Sequence, residues 1–150
     1  MKDLSASASG RTHASVDAAY GLLSDFESYP DWFPEGVKSI QVLERDPDGH
    51  PSRLQTKLHT SSGPVQRDFD MQMTTVLRRL EMVELRRVPN QNRDSEEMTV
   101  SWRLTNGPQT LVAVDLRARL DLPGFLPVGG LAQGMADQFL QAALRRLNRS

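Results

Sequence analysis

Residues 97–120 read EMTVSWRLTNGPQTLVAVDLRARL and contain two runs of alternating apolar and polar side chains. An apolar residue occupies every second position from Met98 to Leu104 and again from Val112 to Leu120, as in strands with one buried face. Between the two runs lies Asn106-Gly107, the strongest short hairpin signal in the chain. This stretch therefore predicts an antiparallel hairpin whose strands span Glu97–Thr105 and Gln109–Leu120.

Four more strand-like segments precede this hairpin. They are Val37–Arg45, Arg53–His59, Val65–Val76 and Leu80–Val88. Turns are predicted at Asp46–Gly49, at Ser61–Pro64 and near Leu77–Arg79. Such short connections exclude parallel pairing, which needs long crossovers, so the six segments predict an antiparallel meander. In the fourth segment, alternation leaves the inward face undecided. The competing sets are Val83, Leu85 and Arg87 on one face and Met82, Glu84 and Arg86 on the other.

The two ends of the chain add a strand and three helices. Alternation at Leu4, Ala6 and Ala8 predicts a short first strand. Ser15 is a typical N-cap for a helix over Val16–Ser24. Pro30 is favourable at the start of a second, short helix, and Pro34 ends it. Near the C-terminus, a broad apolar face at helical spacing predicts a long helix from about Leu126 to Asn148. The members of that face are Ala132, Met135, Ala136, Phe139, Leu140, Ala143, Leu144 and Leu147.

This order of elements predicts an α+β fold of two layers. Seven antiparallel strands with one apolar face need a second element to cover that face, and the long C-terminal helix supplies it. The chain has 150 residues, the size of one ordinary domain, so we expect a single domain over residues 1–150.

Composition excludes several classes of protein. Hydrophobic residues make up 38% and charged residues 25%, as in an ordinary globular protein. The absence of cysteine excludes disulfides and thiolate sites. A net charge of -1 provides no general attraction to nucleic acid or to anionic membranes. No apolar run reaches the roughly 18–20 residues of a membrane-spanning helix, and the N-terminus lacks a signal-peptide pattern. We therefore expect a cytoplasmic protein without nucleic-acid partners or stable membrane insertion.

The chain also lacks the common short motifs of catalysis. No G-x-S-x-G, P-loop or H-E-x-x-H pattern occurs, and the C-terminal glycines do not form a G-x-G-x-x-G order. His13, His50 and His59 are scattered along the chain and are predicted to lie on the surface. We therefore expect no metal site and no cofactor.

Arg67 is the one charged residue on the apolar side of its strand. It alternates with Val65 and Phe69, whereas the intervening positions are polar. A buried guanidinium without partners is costly, so Arg67 needs a carboxylate, a ligand or water. Two interpretations remain open at this point. Arg67 either reaches solvent or pairs with a neighbour, or it faces a ligand.

Residues 22–37, LLSDFESYPDWFPEGV, carry a resemblance to a known family. The segment is similar to the Asp–aromatic/acidic–Tyr-Pro–Trp signature of bacterial polyketide cyclases and coenzyme-Q-binding-type proteins. Together with the order of elements, it resembles the polyketide cyclase/START-like superfamily, also called SRPBCC or Bet v 1-like. The resemblance implies a helix-grip fold, in which a curved sheet wraps around the C-terminal helix. It also implies a cavity between them, open near the short helices and the hairpin tips.

The resemblance and the strand alternation together predict which side chains bind a ligand in that cavity. Trp32 and Phe33 either line its mouth or cap the core, and Arg67 is the candidate group for polarising a carbonyl. The full predicted set is Trp32, Phe33, Thr56, Arg67, Phe69, Met71, Trp102, Val114, Met135 and Phe139.

Three functions from different classes are compatible with these features. The first is binding or transport of an apolar small molecule, such as a lipid, quinone or polyketide, which needs only a cavity and an opening. The second is an aromatase/cyclase acting on a poly-β-ketone, which needs polar groups such as Arg67, with Thr56 as a helper. The third is a protein-interaction role like that of ribosome-associated toxin-like members, and the charge balance argues against it. The missing catalytic motifs favour the first.

Overall fold

The computed structural model describes residues 2–62, 65–89, 96–121 and 130–149. Its strands are β1 (Lys2–Thr12), β2 (Val37–Arg45), β3 (Pro51–Ser62), β4 (Val65–Arg78), β5 (Met82–Arg87), β6 (Glu97–Thr105) and β7 (Thr110–Leu120). Its helices are α1 (Val16–Ser24), α2 (Tyr29–Trp32) and α3 (Leu131–Leu147), with a single 3-10 turn (Phe26–Ser28) directly before α2.

All seven strands form one antiparallel sheet in the order β1-β7-β6-β5-β4-β3-β2. The meander β2–β7 follows the chain order, and β1 pairs with β7 along its whole length, from Lys2↔Leu120 to Thr12↔Thr110. The predicted seven-stranded α+β fold is therefore confirmed. The first strand is longer than predicted, because backbone pairing with β7 continues past the alternating residues Leu4, Ala6 and Ala8.

Local signals placed several elements correctly. The Ser15 hydroxyl accepts the Ala18 N–H at 3.0 Å and caps α1, whose bounds are those predicted. At the β2–β3 turn, the Gly49 N–H donates to the Asp46 carbonyl at 2.9 Å. Gly49 has φ 87°, a conformation that glycine adopts without steric cost.

Long-range pairing moved other boundaries. β3 and β4 extend to the pair Ser62↔Val65, beyond the predicted end at His59, because ladder hydrogen bonds continue whatever the side-chain pattern. The next turn lies one or two residues later than predicted, since Arg78 pairs with Met82. The predicted start of the long helix at Leu126 lies outside the described residues, and the described helix ends at Leu147.

The pairing also decides which face of β5 is buried. Val83 and Leu85 point into the core, whereas Glu84 and Arg86 point to the outer face. Val83 pairs with Trp102 of β6, so the inward face of β6 determines that of β5. The core lies between the concave face of the sheet and α1, α2 and α3.

Candidate ligand site between the sheet and the C-terminal helix

Helix α3 crosses the concave face and packs most closely on β1 and β7. Small residues permit this approach: Ala136 and Ala143 of α3 are fully buried, and Gly10 of β1 lies under Leu144. A Cβ atom at Gly10 would lie 2.7 Å from Leu144 Cδ1, well inside normal contact distance. The helix therefore occupies the space over β1 and β7, and the remaining space lies toward α2, β2 and β3.

An aromatic cluster fills much of that remaining space. We define it as Tyr29, Trp32, Phe33, Trp102 and Phe139. The Phe139 ring is its centre: ring centroids lie 5.0 Å away for Phe33 and Trp102 and 5.7 Å away for Tyr29 and Trp32. Every member is buried. Such ring pairs stabilise by about 0.5–1.5 kcal/mol beyond their buried area. The cluster thus joins α2, β6 and α3 into one packed unit.

Two polar groups of the cluster, the Tyr29 hydroxyl and the Trp102 indole nitrogen, differ in their hydrogen bonding. The Tyr29 hydroxyl donates to the Leu23 carbonyl at 2.6 Å. Burial raises the pKa of Tyr29 far above its ordinary value of 10.0, and the nearby Trp102 indole opposes this shift only in part. Trp102 Nε1 is buried and makes no hydrogen bond of acceptable geometry to the described residues. Tyr29 therefore stays neutral at neutral pH, with its hydroxyl proton donated to the Leu23 carbonyl.

Beside the cluster lies a small cavity, which we call the inner cavity. Its volume is about 30 Å³, room for about two water molecules. Ligand pockets are usually about 300–1,000 Å³. The inner cavity is therefore nearly closed in this structure. Its lining is Phe33, Gly36, Val37, Leu58, His59, Thr60, Met98, Val100, Leu116, Met135, Gln138 and Phe139.

A larger groove lies on the outer side of Phe33. This outer groove has a volume of about 340 Å³ and runs between residues 33–35, which precede β2, and α3. Its lining is Phe33, Glu35, Asp137, Gln138, Gln141 and Arg145. Phe33 and Gln138 belong to both linings, so these two side chains separate the groove from the inner cavity.

Arg67 does not present a free cation to the inner cavity. Its Nη2 donates to both carboxylate oxygens of Glu96, at 2.8 and 3.0 Å, and its Nη1 donates to the Asp121 carbonyl at 3.3 Å. The guanidinium also lies 4.6 Å from the centre of the Phe69 ring. The structure thus shows the pairing alternative for Arg67. A ligand-facing role would require this pairing to break.

The remaining predicted site residues fall into two groups. Phe33, Met135 and Phe139 line the inner cavity, and Trp32 and Trp102 support them within the aromatic cluster. A second group lies in the packed core outside that lining: Thr56, Phe69, Met71 and Val114. The Thr56 hydroxyl is used internally, because it donates to the Met71 carbonyl at 3.1 Å.

Several lining residues were missing from the predicted set. Thr60 continues the inward alternation of Leu54, Thr56 and Leu58, so the pattern contained a signal for it. Gln138 carried no such signal, because helical periodicity places it at the margin of the apolar face. Only the packing of α3 against the 33–37 segment brings it to the cavity.

The histidines lie on the surface or beside it. His59 Nδ1 contacts the Asp68 carboxylate at 2.5 Å on the outer face of the sheet. His50 lies in the β2–β3 turn. One ring nitrogen of His50 and one carboxylate oxygen each of Asp46 and Asp48, atoms of the kind that bind metal ions, lie within 4.8 Å of one another. One oxygen of Asp46 already accepts the backbone N–H groups of Asp48 and His50. The Asp46 carboxylate therefore stabilises the turn through these two hydrogen bonds.

A family model described as polyketide cyclase/dehydrase and lipid transport matches residues 12–148. The chain belongs to this family. Membership confirms the resemblance drawn from residues 22–37 and gives the chain a START-like, ligand-binding fold. A comparison with curated protein sequences finds no significant match. None of the described helices is long and apolar enough to cross a bilayer.

Solved structures of several other proteins share the sheet-and-helix architecture of this chain. A START superfamily protein from Mycobacterium smegmatis is 22% identical, with a TM-score of 0.78, covering 95% of this chain and 96% of that one. Ginseng major latex-like protein 151 from Panax ginseng is 13% identical, with a TM-score of 0.69 and coverages of 97% and 95%. The Zhui aromatase/cyclase from Streptomyces sp. R1128 is 18% identical, with a TM-score of 0.52 and coverages of 97% and 87%. At these identities the similarity establishes the helix-grip fold.

Proposed function

We propose that this family member binds or carries an apolar small molecule, such as a lipid, quinone or polyketide, between the sheet and α3. The observation that carries the proposal is the apolar lining of the inner cavity. Eight side chains of that lining are apolar and come from four strands, α3 and the segment after α2. Burial of apolar ligand surface contributes about 0.8 kcal/mol per CH₂ group, so such a lining selects for apolar length.

Binding needs the inner cavity to expand, and its lining is suited to this. Met98 and Met135 are unbranched side chains that adopt several rotamers at low cost. Met135 is only partly buried, so it moves without disrupting the deepest core. Phe33 separates the inner cavity from the outer groove. Movement of these side chains provides the volume that the closed structure lacks.

An aromatase/cyclase activity is the second candidate, supported by the similarity to the Zhui aromatase/cyclase. It requires a polar group that polarises a ketone carbonyl inside the cavity. Arg67 is held by Glu96 and Asp121, and the Thr56 hydroxyl is bound to the Met71 carbonyl. Either group would have to give up an existing bond first, which makes binding the better-supported function.

Two measurements test the binding proposal. Solvent extraction of the purified protein followed by mass spectrometry identifies any co-purified apolar molecule. Titration with the neutral fluorophore N-phenyl-1-naphthylamine should give saturable binding at one site. Displacement by a series of 1-alkanols should strengthen about fourfold per added CH₂ group until the site is full. Unsaturable fluorescence, or displacement independent of chain length, would contradict the proposal.

A further inference from the structure

Phe33 lies in a position that only a glycine neighbour permits. A Cβ atom built on Gly36 would lie 2.3 Å from Phe33 Cε2 and 2.4 Å from Cζ, so the ring rests directly on the Gly36 backbone. Gly36 does not have a positive φ, which means that close approach rather than backbone conformation requires glycine there. The other side of the ring contacts Phe139 and Trp32.

The backbone around Phe33 holds this arrangement. The Phe33 carbonyl accepts the Gly36 N–H at 3.3 Å and the Val37 N–H at 2.9 Å. This tight turn folds the chain back so that the Phe33 ring lies over Gly36 at the start of β2. The turn is held by these backbone bonds and not by the Phe33 ring, so the ring can rotate off Gly36 with the turn unchanged.

The outer groove differs in polarity from the inner cavity. Its lining includes the carboxylates of Glu35 and Asp137, the guanidinium of Arg145, and the amides of Gln138 and Gln141. Within the described part of the chain, Glu35 and Arg145 have no ion-pair partner, and Asp137 accepts the Gln133 amide at 2.9 Å. The groove has excess negative charge together with amides that donate and accept. The excess negative charge disfavours an anionic ligand group, and the amides can hydrogen-bond to an uncharged one.

We propose that the outer groove and the inner cavity are two halves of one elongated site for an amphipathic molecule. The apolar tail enters the inner cavity when the Phe33 ring leaves Gly36, and an uncharged hydrogen-bonding head, such as a hydroxyl, ketone or amide, remains in the outer groove. This inference rests on the proposed function, because it assumes that an apolar molecule binds between the sheet and α3.

The first test measures access past Phe33. Stopped-flow association of N-phenyl-1-naphthylamine is compared for the wild type, Phe33→Ala, Phe33→Leu and Gly36→Ala. Phe33→Ala removes the ring, Phe33→Leu replaces it with a smaller side chain, and Gly36→Ala displaces it with one methyl group. Each variant should raise the association rate, by about tenfold for Phe33→Ala and Gly36→Ala. Gly21→Ala and Gly134→Ala are matched controls, because a Cβ at either position meets no atom within 4 Å. Their rates should equal that of the wild type.

The second test measures the preference for the head group. Decanamide, decanoate and decyltrimethylammonium each contain a ten-carbon chain but differ in the charge of the head group. Each is added in increasing concentration to displace the bound fluorophore. At low ionic strength decanamide should bind about fivefold more tightly than decanoate, and Glu35→Gln should reduce that difference. Decanoate binding as tightly as decanamide, decyltrimethylammonium binding more tightly than decanamide, or a decanamide–decanoate difference unaffected by Glu35→Gln would each overturn the assignment of an uncharged head group to the outer groove.

The outcomes separate this inference from the function on which it rests. Failure of every variant to bind the fluorophore would overturn both the proposed function and the elongated site. Saturable binding with unchanged association rates in Phe33→Ala, Phe33→Leu and Gly36→Ala would leave the proposed function standing and overturn the route past Phe33. Urea unfolding of each variant confirms that the rates compare folded proteins.

Discussion

Arg67 and Glu96 form an ion pair between elements that are not neighbours in the sheet. Arg67 lies near the start of β4 and Glu96 directly before β6, with Nη2–Oε2 and Nη2–Oε1 distances of 2.8 and 3.0 Å. β5, which lies between them, pairs with β4 only from Met73 onward. Glu96 also accepts the Asp121 N–H at 2.8 Å, just after β7. The pair therefore links the start of β4, the start of β6 and the end of β7, at a level of the sheet that the short strand β5 does not reach. This link explains why a charged residue lies on the inward side of β4.

Breaking this pair should destabilise the protein. Both side chains are mostly buried, with 27% and 19% exposed, so Arg67→Met leaves the Glu96 carboxylate poorly compensated. We expect a loss of about 1–2 kcal/mol in the free energy of unfolding, measured with urea. Glu96→Gln and the double variant complete a mutant cycle, whose coupling should be about 1 kcal/mol. Additive effects of the two substitutions would show that the pair contributes nothing.

Phe139→Ala should remove the centre of the aromatic cluster. The ring contacts four other rings and is only 8% exposed, so its loss should cost about 3–5 kcal/mol in urea unfolding. Val76→Ala is the control, because Val76 is 44% exposed and its truncation should cost less than about 0.5 kcal/mol. A loss below about 1 kcal/mol for Phe139→Ala would place the ring outside the packed core.

Tyr29 should make stability fall at high pH. Its pKa is raised in the folded protein, so above the unfolded value of 10.0 the unfolded chain loses a proton that the folded protein retains. Stability from this group is complete below pH 10 and decreases by about 1.4 kcal/mol per pH unit above it. Tyr29→Phe lacks this dependence and costs about 1 kcal/mol at neutral pH through the lost bond to Leu23. Equal slopes for the two proteins between pH 10 and 11 would contradict the prediction.

Two glycine substitutions should act in opposite directions. Gly134 lies within α3, and an added Cβ meets no neighbouring atom, so Gly134→Ala should stabilise the helix by about 0.5–1 kcal/mol. Gly49 has φ 87° in the β2–β3 turn, so Gly49→Ala should destabilise by about 1–2 kcal/mol. Thermal unfolding should show Tm rising by a few degrees for the first variant and falling for the second. A shift of the same sign in both would refute this account.

Local sequence signals determined a large part of this fold. The bounds of α1, β2 and β6 agree with those predicted, because caps, turn residues and period-two alternation act over a few neighbouring residues. The same alternation correctly placed the inward faces of β6 and β7. Phe33, Met135 and Phe139 could be predicted as cavity residues, since their position in the helix-grip order brings them to the space between the sheet and α3.

Only the tertiary structure decided the inward face of β5, the partner of Arg67 and the closed state of the cavity. Val83 is placed by its pairing with Trp102, and Arg67 meets a carboxylate 29 residues away along the chain. The Phe33 ring lies on Gly36 and against Phe139, which closes the space that the order of elements leaves open. Such contacts depend on pairing register and on side-chain rotamers across distant segments, and no periodicity within one segment carries that information.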